Sequence, residues 1–76
     1  MRLLKYDGTQ NKFTGSIKKV VAELVSSNVP ETFPLTGEGI VGMGKQYELL
    51  PGSTIYVVND SDIYMMNEER EWVKQG

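Results

Sequence analysis

Between residues 29 and 53 the chain carries three prolines (Pro30, Pro34, Pro51) and five glycines (Gly37, Gly39, Gly42, Gly44, Gly52). Proline removes a backbone donor and fixes φ, and glycine weakens any regular element it sits in. No helix or strand of useful length crosses such a stretch, so regular structure is confined to the two flanks. A connection this long in a 76-residue chain is uncommon and tends to serve function or mobility, with room only for a short strand or helical turn near residues 46–50.

The N-terminal flank offers a short strand at Leu3-Leu4-Lys5-Tyr6, the turn dipeptide Asp7-Gly8, and a second short strand at Lys12-Phe13-Thr14. Ile17, Val20, Val21, Leu24 and Val25 then recur at i, i+3, i+4, i+7 and i+8, one stripe of an amphipathic helix. Lys18, Lys19, Glu23 and Ser26 lie off the stripe. With Ser16 as N-cap, Asn28 able to adopt a left-handed C-terminal conformation and Pro30 blocking continuation, the pattern predicts a helix over about 16–27. The C-terminal flank reads as three strands: Thr54–Val58, Ile63–Met66 and Glu71–Lys74. Asn59-Asp60-Ser61 and Asn67–Arg70 form the turns. The expected fold is therefore a single α+β domain, one helix packed on a small antiparallel sheet with a C-terminal three-stranded meander. A β-grasp arrangement is the alternative, although the chain's Gln75-Gly76 differs from the Gly-Gly end of β-grasp carriers.

Several function classes lose their chemistry. Without cysteine there is no disulfide, thiolate nucleophile or Cys-based zinc site, and without histidine no imidazole ligand or acid–base group. Ser16, Ser26, Ser27, Ser53 and Ser61 have no histidine to activate them, and Glu68, Glu69 and Glu71 fall in or beside a solvated turn. Gly37-Glu38-Gly39-Ile40-Val41-Gly42 satisfies G-x-G-x-x-G, but Pro34-Leu35-Thr36 precedes it and Pro51 follows too soon for a crossover helix. It reads as a loop. Asn59-Asp60-Ser61-Asp62 presents oxygen ligands, yet lacks the glycine and bidentate glutamate of an EF-hand loop and reads as a turn. No catalytic, cofactor or metal site is expected, and an enzymatic role survives only as a subunit completing another protein's site.

The net charge is −2, and Lys18-Lys19 is the densest basic pair, so nucleic acid is not the expected partner. No apolar run reaches the ~18–20 residues that span a bilayer. Met1-Arg2-Leu3-Leu4 turns polar at once, unlike a signal peptide. A soluble protein of the cytoplasm, or of a virion, is expected.

One positive signal remains. In a sheet with one wet face apolar and polar residues alternate, whereas Ile55-Tyr56-Val57-Val58 and Ile63-Tyr64-Met65-Met66 are apolar on both sides. One helix covers about one face of three strands. The other face needs the 29–53 segment, the N-terminal strand or another molecule. Tyr, Trp and Met are enriched at interfaces, which selects Tyr56, Val58, Tyr64, Met66 and Trp72 as interface candidates. A one-residue change of register would exchange the faces.

The same segment carries a resemblance. Its Gly52-Ser53 step, the strand Thr54–Val58, the turn at Asp62 and Tyr64-Met65-Met66-Asn67 with Trp72 beyond together resemble a pattern in small proteins of phages and prophages of Gram-positive bacteria. That resemblance covers about a third of the chain and supplies no catalytic residues. It implies a virion or assembly component acting by self-association or by docking to a protein partner. The alternative function is a small cytosolic binding or regulatory module.

Overall fold

A computed structural model describes residues 1–7 and 17–76. The expected strand at Lys12-Phe13-Thr14, the Ser16 cap and Gly8 of the first turn lie outside the described residues. Six strands form one mixed sheet: β1 (Arg2–Asp7), β2 (Lys18–Ser26), β3 (Tyr47–Leu49), β4 (Thr54–Val57), β5 (Asp62–Met66) and β6 (Trp72–Gln75). The spatial order is β1-β2-β4-β5-β6, with β3 also paired to β2. The described residues contain no helix, so the α+β expectation is overturned: the fold is all-β.

The correction centres on β2, which occupies the stretch expected as the helix. The run Ile17–Val25 satisfies the strand period as well as the helical one. Val20, Ala22 and Leu24 are fully buried on one face, while Val21, Glu23 and Val25 point the other way. Ala22 decides the matter, because it lies off the helical stripe yet is wholly inaccessible. Ile17, which heads that stripe, is exposed. β-Branched side chains at 17, 20, 21 and 25 favour the pleated backbone. Neighbours on both edges then supply the ladder that a helix would have supplied internally.

β2 organises the sheet. On one edge β1 runs antiparallel to it, Leu3 opposite Leu24 and Asp7 opposite Val21, with an irregularity between Leu3 and Lys5. On the other edge β3 and β4 follow one another, both parallel to β2, with Val20 opposite Leu49 and Leu24 opposite Ile55. Between them Leu50-Pro51-Gly52-Ser53 steps away from β2. Leu50 N–H still reaches the Val20 carbonyl (2.8 Å). The next donor along β2, the Ala22 N–H, then faces the gap with no strand opposite. The buried Ser53 hydroxyl fills that gap, accepting from Ala22 N–H (3.1 Å) and donating to the Leu50 carbonyl (2.7 Å). Gly52 makes the step possible, since its φ of 94° lies in the left-handed region.

Beyond β4 the strands form an antiparallel meander, Ile55 opposite Tyr64 and Met65 opposite Val73. The core lies on one side of the sheet, where Val20, Ala22, Leu24, Leu49, Ile55, Val57 and Met66 meet. The proline- and glycine-rich segment covers it. Ile40 is buried in the core, with Phe33 and Met43 packed against it. Thr36 bridges antiparallel to Glu48, and Val41 exchanges hydrogen bonds with Met1 and Leu3. The G-x-G-x-x-G residues thus act as cover, with neither the strand before them nor the helix after them that a phosphate site requires.

Candidate interaction surface

Alternation along β4–β6 fixes what each side of the meander presents. Ile55, Val57, Tyr64, Met66 and Trp72 face the core. Tyr56, Val58, Ile63, Met65 and Val73 face outward, each between 39% and 47% exposed among the described residues. Their pairing brings them together: Tyr56 lies opposite Ile63, and Met65 opposite Val73. Val25 of β2 extends the row beside Tyr56. Polar groups border this apolar centre on the β1 side, with Arg2 opposite Val25 and an exposed Lys5–Glu23 ion pair at 3.3 Å. An apolar centre inside a polar rim is how protein interfaces are built. At one end of the face a cleft of about 310 Å³ opens between Met1, Arg2, Val25, Ser27, Val41 and Val58.

The five residues expected at an interface do not share a face. Tyr56 and Val58 are on the outer surface. Met66 is buried in the core. Tyr64 and Trp72 are half-buried beneath Phe33, whose ring lies 5.0 Å from Tyr64 and 6.2 Å from Trp72. The Trp72 indole N–H donates to the Pro34 carbonyl (2.7 Å), which ties the covering segment to β6. Beside it Arg70 pairs with Glu48 (3.0 Å) and donates to the Leu35 carbonyl (2.9 Å).

The split has a simple cause. A three-residue turn over 59–61 would set Tyr56 opposite Tyr64. The structure turns over four residues, 58–61, with Val57 opposite Asp62, Tyr56 opposite Ile63 and Ser61 at φ 55°. The pairing moves by one residue, and every β5 side chain changes its partners on the face. Ile63, Met65 and Val73 thereby join Tyr56 and Val58. The turn itself is held by side chains: Asn59 donates to Asn28 Oδ1 (2.7 Å), and Asp62 pairs with Lys74 (3.4 Å).

On the opposite flank, Tyr6 of β1 and Tyr47 of β3 meet edge-on at 5.6 Å, with Lys18 Nζ 5.0 Å above the Tyr6 ring. Hydrogen bonding with Tyr47, then the hydrogen bond and charge of Lys18, hold the Tyr6 phenol below the ordinary tyrosine range. The neighbouring Tyr6 raises Tyr47. Both rings are at the surface, and this cluster pins β1 and β3 to the start of β2. Among the described residues no three Asp or Glu side chains group as metal ligands, and no helix is long and apolar enough to cross a membrane.

Comparison of the chain with protein-family models, curated proteins and solved structures finds no match.

Proposed function

We propose that this chain is a non-catalytic assembly module, of the phage or prophage structural type that its C-terminal segment resembles. It acts by self-association through the outer face of β4–β6. The observation that carries this reading is the contrast between the two sides of the meander. The inner side is covered by Phe33, Ile40 and Met43 of the proline- and glycine-rich segment, while Tyr56, Val58, Ile63, Met65 and Val73 stand together on the outer side. A sequence without cysteine or histidine supports a role in binding rather than in acid–base or nucleophilic chemistry.

Solution mass tests the proposal. Sedimentation equilibrium up to about 1 mM registers association free energies of only about 4 kcal/mol. The expected result is a mass that climbs above 8.5 kDa with concentration, and a smaller climb for Ile63→Lys at an unchanged far-ultraviolet circular dichroism spectrum. A single 8.5 kDa species throughout the range would sink the self-association reading and favour docking to a different protein.

A further inference from the structure

Two strands end the sheet, and they are finished differently. The start of β1 is covered, because Leu3 N–H donates to the Val41 carbonyl (2.9 Å) and Val41 N–H to the Met1 carbonyl (3.1 Å). β6 has β5 on one side and, among the described residues, nothing on the other. The backbone groups that face outward can be assigned. Asn67 N–H donates to the Glu71 carbonyl (2.8 Å), so Glu71 faces β5. Alternation along an antiparallel ladder makes Val73 and Gln75 face β5 as well. The N–H and C=O of Trp72 and Lys74 therefore point away from the sheet.

We propose that β6 joins antiparallel to the β6 of a second copy, about a two-fold axis at Val73. This inference rests on the self-association reading above and names the edge through which the first two copies meet. Three two-fold registers pair these outward groups with one another. One centred at Lys74 sets two ammonium groups opposite each other, and like charges directly opposite destabilise a ladder. One centred at Trp72 leaves both copies' Lys74 groups without a Trp72 or Lys74 partner. Centring at Val73 sets Trp72 opposite the partner's Lys74 at both ends of the join. That arrangement uses all four outward N–H groups in four interchain hydrogen bonds. It also makes the partner's Lys74 side chain a neighbour of Trp72 on the same side of the ladder, where a lysine and an indole can pair favourably. An edge lysine ordinarily discourages pairing. Here Asp62, 3.4 Å from Lys74 within its own chain, offsets part of that charge.

The size of the outer face favours this mode. Three strands spaced ~4.8 Å apart and four residues long at ~3.3 Å each present a projected area of only roughly 200 Å². A standard interface takes about 800 Å² from each partner. A face of that size stacked alone makes a small contact, and the edge adds backbone hydrogen bonds to it and sets the Met65–Val73 row beside its copy. The joined pair then offers twice the outer face for further assembly.

Because the chain lacks cysteine, single-cysteine variants report the register directly. In the proposed join Val73 and its counterpart form a non-hydrogen-bonded pair with Cα atoms ~4.5 Å apart, within disulfide range. Val73→Cys should give a covalent dimer under mild oxidation. Glu71→Cys, whose counterpart lies four residues away along the ladder, should not. Lys74→Pro removes an outward N–H while leaving the β5 ladder intact, and should lower the dimer fraction at least tenfold with the spectrum unchanged. The natural chain's mass, read beside these variants, separates the two ideas. If it associates but Val73→Cys fails to cross-link and Lys74→Pro changes nothing, the edge join is wrong and self-association stands. If it stays monomeric, both fall.

Discussion

The inner and outer faces of β4–β6 are built from nearly the same residue types, yet one is core and the other is surface. Ile55, Val57 and Met66 are at most 1% exposed, whereas Tyr56, Ile63 and Met65 retain about two-fifths of their accessibility. What separates them is cover. Phe33, Ile40 and Met43 reach over one side from a segment with almost no regular structure, and no described residue reaches over the other. Burial here follows from where a loop lands, and apolarity alone does not predict it.

Truncation on the two sides should show the contrast at its largest. Leu24 is fully buried in the centre of the core. Leu24→Ala should cost about 2–5 kcal/mol of unfolding free energy, through lost burial and the cavity left behind. Ile63→Ala, in the outer row, should cost less than about 1 kcal/mol, because nearly half of its surface is already in water and no core cavity is opened. Urea denaturation of the two variants checks the pair. Equal losses would mean that the outer row is covered in solution by something the isolated chain does not provide.

A smaller effect is expected where the inner side depends on one polar atom. Ser53→Ala removes the acceptor for Ala22 N–H and the donor to the Leu50 carbonyl, both at the buried step between β3 and β4. A buried donor left without a partner costs about 1–3 kcal/mol, and this substitution should fall in the upper part of that range. Amide exchange gives a sharper readout than stability alone, since the Ala22 N–H should lose protection while the β4–β5 ladder keeps it.

Much of this contrast was legible in the sequence, and the failures have physical causes. The C-terminal strands announce themselves through Thr54-Ile55-Tyr56-Val57-Val58 and the Asn- and Asp-rich turns, and their two-sided apolarity is visible without a structure. Which residues share a face is not legible, because turn length sets register, and Val58 leaves the strand for the turn where its N–H donates to the Ser26 carbonyl of β2. β2 reads as a helix because Ile17–Val25 satisfies both periods. Only the position of Ala22 against Leu49, Ile55 and their neighbours chooses between them, and those neighbours are some thirty residues away. Ser53 was invisible for a similar reason: a serine beside Pro-Gly reads as turn chemistry, and its role exists only once Ala22 N–H faces the gap.

The smallest effect comes from one substitution made on each side of the same backbone step. Val57 is fully buried, and Val58 is about half exposed. Valine and threonine have nearly the same shape, so each change to threonine exchanges a methyl for a hydroxyl with little change in volume. At 57 the hydroxyl enters an apolar core beside Leu24, Ile55 and Met66, and should cost toward the lower end of about 1–3 kcal/mol. At 58 it meets solvent, and the stability should stay within about 0.5 kcal/mol of the natural chain. Val58→Thr instead tests the surface itself. It removes apolar area from the end of the outer row without adding charge, so concentration-dependent association should weaken while the unfolding midpoint holds. A fall in the midpoint at 58 as large as that at 57 would show that the two sides of the strand are equally sheltered, and the distinction drawn between them would fail.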